Sequence, residues 1–177
     1  MSLKHAILVL LEAESSTGYD LMRKFKEGVG YFWNAKHQQV YQQLKKLNDE
    51  GLINYSVREQ SGKPDKKIYS ISEQGQQELS TWINSPVKPS KTNDALLVKL
   101  YAGHLGSKDG ILDELTRHQE SHTKTLDYLL KLEQTYQGLP PSQQQKYLYP
   151  YLTLRRGILG EQAWLNWAQE AQKEIKK

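Results

Sequence analysis

Residues 33–53, "WNAKHQQVYQQLKKLNDEGLI", decide how the chain is read. At about 100° per residue, Val40, Leu44 and Leu47 fall on one narrow apolar stripe of a helix. Gln38, Gln42, Lys45 and Asp49 point the other way, with Gln39, Tyr41 and Lys46 flanking them. Asn34 is placed to cap the start, and Gly51 to end the helix in the left-handed conformation that glycine adopts at least cost. One side is dry and the other is built of hydrogen-bonding groups. From Asn34 to Lys46 there are three lysines, Lys36 among them, and no acid.

Working outward, Leu3, Ile7, Leu10 and Leu11 predict a first helix over 3–13. A second, "GYDLMRKFKEG", follows with Thr17 as its cap and Gly28 as its end. After Gly51 the period changes to two: Ile53, Tyr55 and Val57 alternate with Asn54, Ser56 and Arg58. A polar turn holding Gly62, Pro64 and Asp65 leads to a second short strand, "IYSI". Ser72 then opens a fourth helix carrying Leu79, Trp82 and Ile83.

The order helix, helix, helix, strand, strand, helix predicts a winged helix-turn-helix over residues 1–84. The chain is mainly α with a small β-hairpin. Residues 85–93, with two prolines and no periodicity, form a linker. Residues 94–177 form a helical dimerisation domain: a compact helix over 94–105, a long helix over about 108–136, a break at "GLPPS", and a last helix from about Ser142. In the long helix Leu112, Leu115, Gln119, His122, Leu126, Leu129, Glu133 and Tyr136 trace a heptad seam. That seam favours a homodimer; packing against the last helix of the same chain is the other reading.

Bulk charge decides little. The chain of 177 residues carries a net +4, divided as +1 over residues 1–80 and +3 over 81–177. An argument for nucleic acid therefore rests on local placement. The placement is suggestive. Gln pairs with adenine in bidentate fashion in the major groove, and Lys reaches guanine or phosphate. Lys63, Lys66 and Lys67 in the wing would neutralise phosphates without reading sequence.

Chemistry for an enzyme is missing. There is no cysteine, hence no thiol nucleophile and no Cys metal site. "HQESH" at 118–122 has the histidine spacing of a zinc pair, but Gln119 stands where a zincin needs Glu. "GVGYF" lacks the third glycine of a dinucleotide loop, "SGKP" is no phosphate loop, and no G-x-S-x-G occurs. No cofactor or metal is expected. The opening apolar run, Ala6–Leu11, is too short for a secretory leader and is followed by Glu12 and Glu14, so it is a core helix. No run approaches the roughly 20 residues that span a bilayer. A cytoplasmic protein without membrane attachment is expected.

Three segments, "GYDLMRKF", "FWNAKHQQVYQQLKKLNDEGLI" and "KPDKKIYSISEQGQQELSTWI", closely resemble the PadR family of bacterial transcriptional regulators. The likeness covers roughly residues 3–84, and the C-terminal part resembles the family's larger variant. The blend of "FWNAKHQQVY" with "KPDKKIYSI" is most like the phenolic-acid-responsive repressors of phenolic acid decarboxylase genes. The resemblance implies a homodimer on a palindromic double-stranded operator, released by a small aromatic acid such as p-coumaric acid. An effector slot then needs aromatic walls and one cation or hydroxyl. His37 is expected on the core border, near Trp33 and Tyr19, facing Tyr101, Tyr151, Trp164 and Arg155 of the C-terminal helices. The alternative is a winged-helix module that binds protein, or a repressor of the same family with a different effector or none.

Overall fold

A computed structural model describes residues 3–27, 33, 35–59, 65–89 and 93–177, the side chains of 26 and 27 excepted. The chain divides into two compact units, Met1–Ser90 and Lys91–Lys177.

In the first unit α1 (Leu3–Ala13), α2 (Gly18–Glu27) and α3 (His37–Asp49) are followed by strands β2 (Ile53–Arg58) and β3 (Lys66–Ile71) and by α4 (Glu73–Ile83). Their order is that of a winged helix-turn-helix. A short strand that the alternation pattern does not show, β1 (Ser16–Thr17), completes the sheet in the order β1-β3-β2, all antiparallel. Two residues are too few to display a period. The same Thr17 caps α2: its hydroxyl oxygen accepts from the Asp20 amide at 3.1 Å and donates to the Asp20 carboxylate at 2.7 Å. That hydrogen bond is the first reason the Asp20 carboxyl is held below its ordinary range.

The core is the predicted stripe of each helix. Ile7, Leu8 and Leu11 meet Leu21, Phe25, Val40, Leu44 and Leu47, closed by Leu52, Ile53 and Leu79. Each such side chain contributes roughly 1.5–3 kcal/mol by leaving water. α3 starts later than expected. Lys36 is its N-cap, and the Lys36 amide donates to the Gln39 side chain at 3.1 Å. Asn34 and Gly28 lie outside the described residues. Gly51 does end the turn after α3 with φ 71°. The hairpin differs from a half-buried ribbon: only Ile53 of β2 is buried, while Tyr55 and Val57 stand 42% and 53% exposed. The strands project beyond the core, so their second face has no layer to cover. β3 also begins two residues early, which puts Lys66 and Lys67 in the strand rather than in the turn, with Lys66 opposite Arg58. Lys63 lies outside the described residues.

The second unit holds α5 (Ala95–Tyr101), a 3-10 turn at Gly103–Leu105, α6 (Lys108–Gln137), α7 (Pro141–Lys146) and α8 (Leu148–Lys176). The expected single C-terminal helix is divided at Tyr147. Pro150 explains the division: inside a continuous helix its ring would clash one turn back, whereas in the first turn of α8 its missing amide costs nothing. α6 and α8 run antiparallel, for Thr116 meets Gln172, His122 meets Glu161, and Tyr136 meets Tyr151. Leu115 and Leu129 of the heptad seam are buried within this one chain along with Ile158. The seam is thus occupied by α8, and the argument for a dimer moves elsewhere.

Two outcomes test this packing. A Cβ at Gly75 would sit 2.1 Å from the Leu52 carbonyl oxygen, so Gly75→Ala is expected to cost about 1–3 kcal/mol, read as a lowered Tm. His5 stacks on Trp82 at 4.4 Å between centroids, and burial holds its imidazole below the ordinary 6.5 despite the Glu78 carboxylate 3.3 Å away. The folded state therefore favours neutral His5. This contribution is whole above the ordinary value and is lost as pH falls through it, because the unfolded chain takes the proton first. Cooling of Tm between about pH 7.5 and pH 5.5 should be smaller in His5→Phe than in the wild type.

Candidate nucleic-acid interface

The residues that α3 leaves outside are those the stripe requires. Lys36, Gln38, Gln39, Tyr41, Gln42, Lys45 and Lys46 are all exposed, while Val40, Leu44 and Leu47 show no exposed surface. Four of the seven follow within two turns of the helix start, the half of a recognition helix that enters a groove. Their amides and ammonium groups can bond base edges and phosphates. Trp33 lines a shallow cleft of about 480 Å³ with Gln39, Gln42 and Lys46. A second cleft of about 590 Å³ opens between the start of α2, Tyr41 and β3. Beside it Lys67 places its ammonium 4.2 Å above the Tyr55 ring, and Tyr55 and Tyr69 rings lie 5.9 Å apart. Burial first, then the neighbouring Tyr41 and Tyr55, raise the Tyr69 phenol above its ordinary range, against the pull of Lys67.

Within each unit the residues expected around an aromatic acid have separate surroundings. His37 is exposed, not on the core border. It is the first residue of α3, ahead of the stripe, and its ring leans over Tyr41 one turn on, with centroids 4.5 Å apart. Tyr19, 72% exposed, lines the second cleft, whereas Trp33 lines the first. In the second unit Tyr101 is 93% exposed. Tyr151 and Arg155 both turn to Glu133: the guanidinium donates to its Oε1 at 2.8 Å and the phenol at 3.3 Å, while Tyr136 stacks on Tyr151 at 4.0 Å. Trp164 stands thirteen residues further along α8, about 20 Å by the helical rise. It stacks on His122 at 3.7 Å and is edged by Trp167 at 5.6 Å. His122 also meets Glu161 of α8, while His118 meets Glu114 one turn back on α6.

With this geometry in view the known proteins are informative. Residues 7–81 match the family profile described as the transcriptional regulator PadR-like family, and residues 92–176 match that of the virulence activator alpha C-term. The probable transcriptional regulator Rv1176c of Mycobacterium tuberculosis is 34% identical over 188 aligned positions, covering 100% of this chain and 99% of that protein. The negative transcriptional regulator PadR of Bacillus subtilis is 33% identical over 94% of this chain and 93% of its own.

The chain belongs to the PadR-like family of transcriptional regulators.

Its members in this comparison are regulators, not enzymes. Bacillus subtilis PadR, solved in complex with operator DNA, superposes with TM-score 0.82 at 31% identity over 98% of each chain. The same protein in complex with p-coumaric acid gives 0.77 at 31% identity over 99% of each. The Vibrio cholerae virulence activator AphA gives 0.74 at 32% identity, covering 99% of this chain and 98% of that one. No helix of this PadR-like chain, among the described residues, is long and apolar enough to cross a membrane.

Glu133, only 12% exposed at its side chain, has the Arg155 guanidinium as its cationic partner and the Tyr151 hydroxyl as a second donor. Arg155→Ala leaves that carboxylate half-served and is expected to lower stability by about 1–3 kcal/mol, whereas Glu133→Gln costs less because the solvent reaches Arg155. Thermal melts of the two variants compare them directly.

Proposed function

We propose that this protein is a homodimeric repressor that holds a palindromic operator in double-stranded DNA, governs expression of a phenolic acid decarboxylase, and leaves the operator when a phenolic acid such as p-coumaric acid binds. The observation that carries the DNA part is the exposed amide and ammonium face of α3 over a fully buried stripe. A PadR relative solved with operator DNA, and again with p-coumaric acid, supports the rest. Gln38, Gln39 and Gln42 would read bases, with Lys36, Lys45, Lys46, Lys66 and Lys67 on phosphates. The dimer has support in the second unit, where Val98, Tyr101 and Leu105 are 71%, 93% and 80% exposed along α5 and the turn after it. A two-fold pair would set its reading helices one DNA turn apart, about 34–36 Å. It would work in the cytoplasm, beside the chromosome.

Release requires that the acid bind the DNA-incompetent arrangement more tightly; an acid with equal affinity for both shifts nothing. Arg155 is the cation we favour for its carboxylate, taking the place of Glu133, with Tyr151 and Trp164 as aromatic candidates. A second reading, a regulator that activates, is favoured by the likeness to AphA. Loss of reporter expression on deletion of the gene would support it, and a rise supports repression.

A mobility shift on the promoter fragments beside its own gene tests the proposal, with a shift that p-coumaric acid abolishes as the expected result. A shift indifferent to the acid would discard the ligand, and no shift would favour a protein-binding module. In the same assay Gln38→Ala should relax sequence preference, costing about 1–3 kcal/mol on the operator alone. Lys66→Ala should weaken all DNA alike.

A further inference from the structure

The seam of α6 is not uniformly apolar: Gln119, His122 and Glu133 stand among its leucines. The last two meet polar groups of α8. The His122 ring stacks on Trp164 with centroids 3.7 Å apart, and its Nδ1–H donates to the Glu161 carboxylate. Glu133 accepts on one oxygen from the Arg155 guanidinium at 2.8 Å and from the Tyr151 hydroxyl at 3.3 Å. Beside it Tyr136 lies flat on Tyr151, the ring planes 4° apart. Gln119 lines an open groove between the same two helices, with Leu165 and Gln169 across it.

A leucine at any of these positions would bury more apolar surface, so stability alone does not account for them. What a stripe of leucines lacks is a choice of partner. At 30 residues α6 is long enough to coil on a second copy of itself, and leucines pack as well there as on α8. The polar groups tell the two apart. In a parallel pair of α6 helices in register, each seam residue faces its own counterpart, so Glu133 meets Glu133 and His122 meets His122. In an antiparallel pair centred on the seam, Glu133 faces Leu115 and Gln119 faces Leu129. Either pairing buries a carboxylate with no cation beside it. Among the described residues it is α8 that brings Glu161 to His122 and Arg155 to Glu133.

We propose that His122 and Glu133 select the partner of α6: they commit its seam to α8 of the same chain and exclude a second α6. These groups lower stability relative to leucine and give a single pairing, as a lone polar residue does in a coiled-coil seam. The α6 seam then takes no part in joining two chains. Nothing in this selection depends on DNA.

Sedimentation equilibrium of the full-length protein tests this, with Glu133→Leu, Arg155→Leu, His122→Leu and Glu161→Leu combined so that both sides of the seam change together. The hairpin keeps its apolar contacts, and this variant should melt no lower than the wild type. It should nevertheless form assemblies larger than the wild-type species. The chain has no cysteine, so Leu126→Cys on the seam reports the same exchange as a disulfide between chains. Oxidation with diamide should join about tenfold more of the apolar variant carrying Leu126→Cys than of Leu126→Cys alone. Exchanging the charges, Glu133→Arg with Arg155→Glu, keeps the two helices complementary and should hold the mass and the disulfide yield at the starting level. An apolar variant with wild-type mass and no added disulfide would overturn the proposal, as would a charge-exchanged variant that assembles like the apolar one. A melting temperature of the apolar variant well below the wild type would overturn it too, since the polar pairs would then hold the hairpin together rather than choose its partner.

Discussion

Val40, Leu44 and Leu47 have no surface left to water, and their burial against α1 and α2 fixes the rotation of α3 about its own axis. A helix turned by 100° would expose one of the three and bury a glutamine or lysine with no partner, each change costing kilocalories. With the rotation fixed, the side chains left outside are determined: the amides and ammonium groups proposed to meet a duplex. The core of the first unit therefore does more than hold the fold. It aims the face proposed to read DNA.

Contacts at the ends of α3 secure that aim. At the start, Gly18 admits the Tyr41 ring, and the His37 ring leans on Tyr41. At the end, Gly51 turns the chain at positive φ, and Gly75 lets α4 press on the Leu52 carbonyl. Two of these three glycines make room for a neighbour and one supplies a turn, so none is a flexible joint.

The stripe of α3, the cap at Thr17, the turn at Gly51 and the hairpin were legible because each depends on local periodicity or on a residue with a single conformational use. β1 was not, since two residues joined to β3 from a distance leave no period. The start of α3 was misplaced because Asn34 is the better cap by residue type, while the helix begins after Lys36 with Gln39 serving its amide. The heptad seam was visible as a pattern, but a pattern does not name its partner, and α8 of the same chain fills it. The surroundings of the effector candidates were the least legible: Tyr151 and Arg155 meet Glu133 across two helices, a contact between distant segments that no spacing encodes.

The central claim is that glutamines of α3 read adenine in the major groove. The direct measurement is the affinity of the wild type and of Gln38→Ala for the shifted promoter duplex with 7-deazaadenine in place of adenine, which exchanges the N7 acceptor for a C–H and keeps the N6 amino group. The account predicts a loss of about 1–3 kcal/mol for the wild type and little further loss for Gln38→Ala, whose reading contact is already gone. Equal affinity of the wild type for both duplexes, or equal losses in the two proteins, would contradict it.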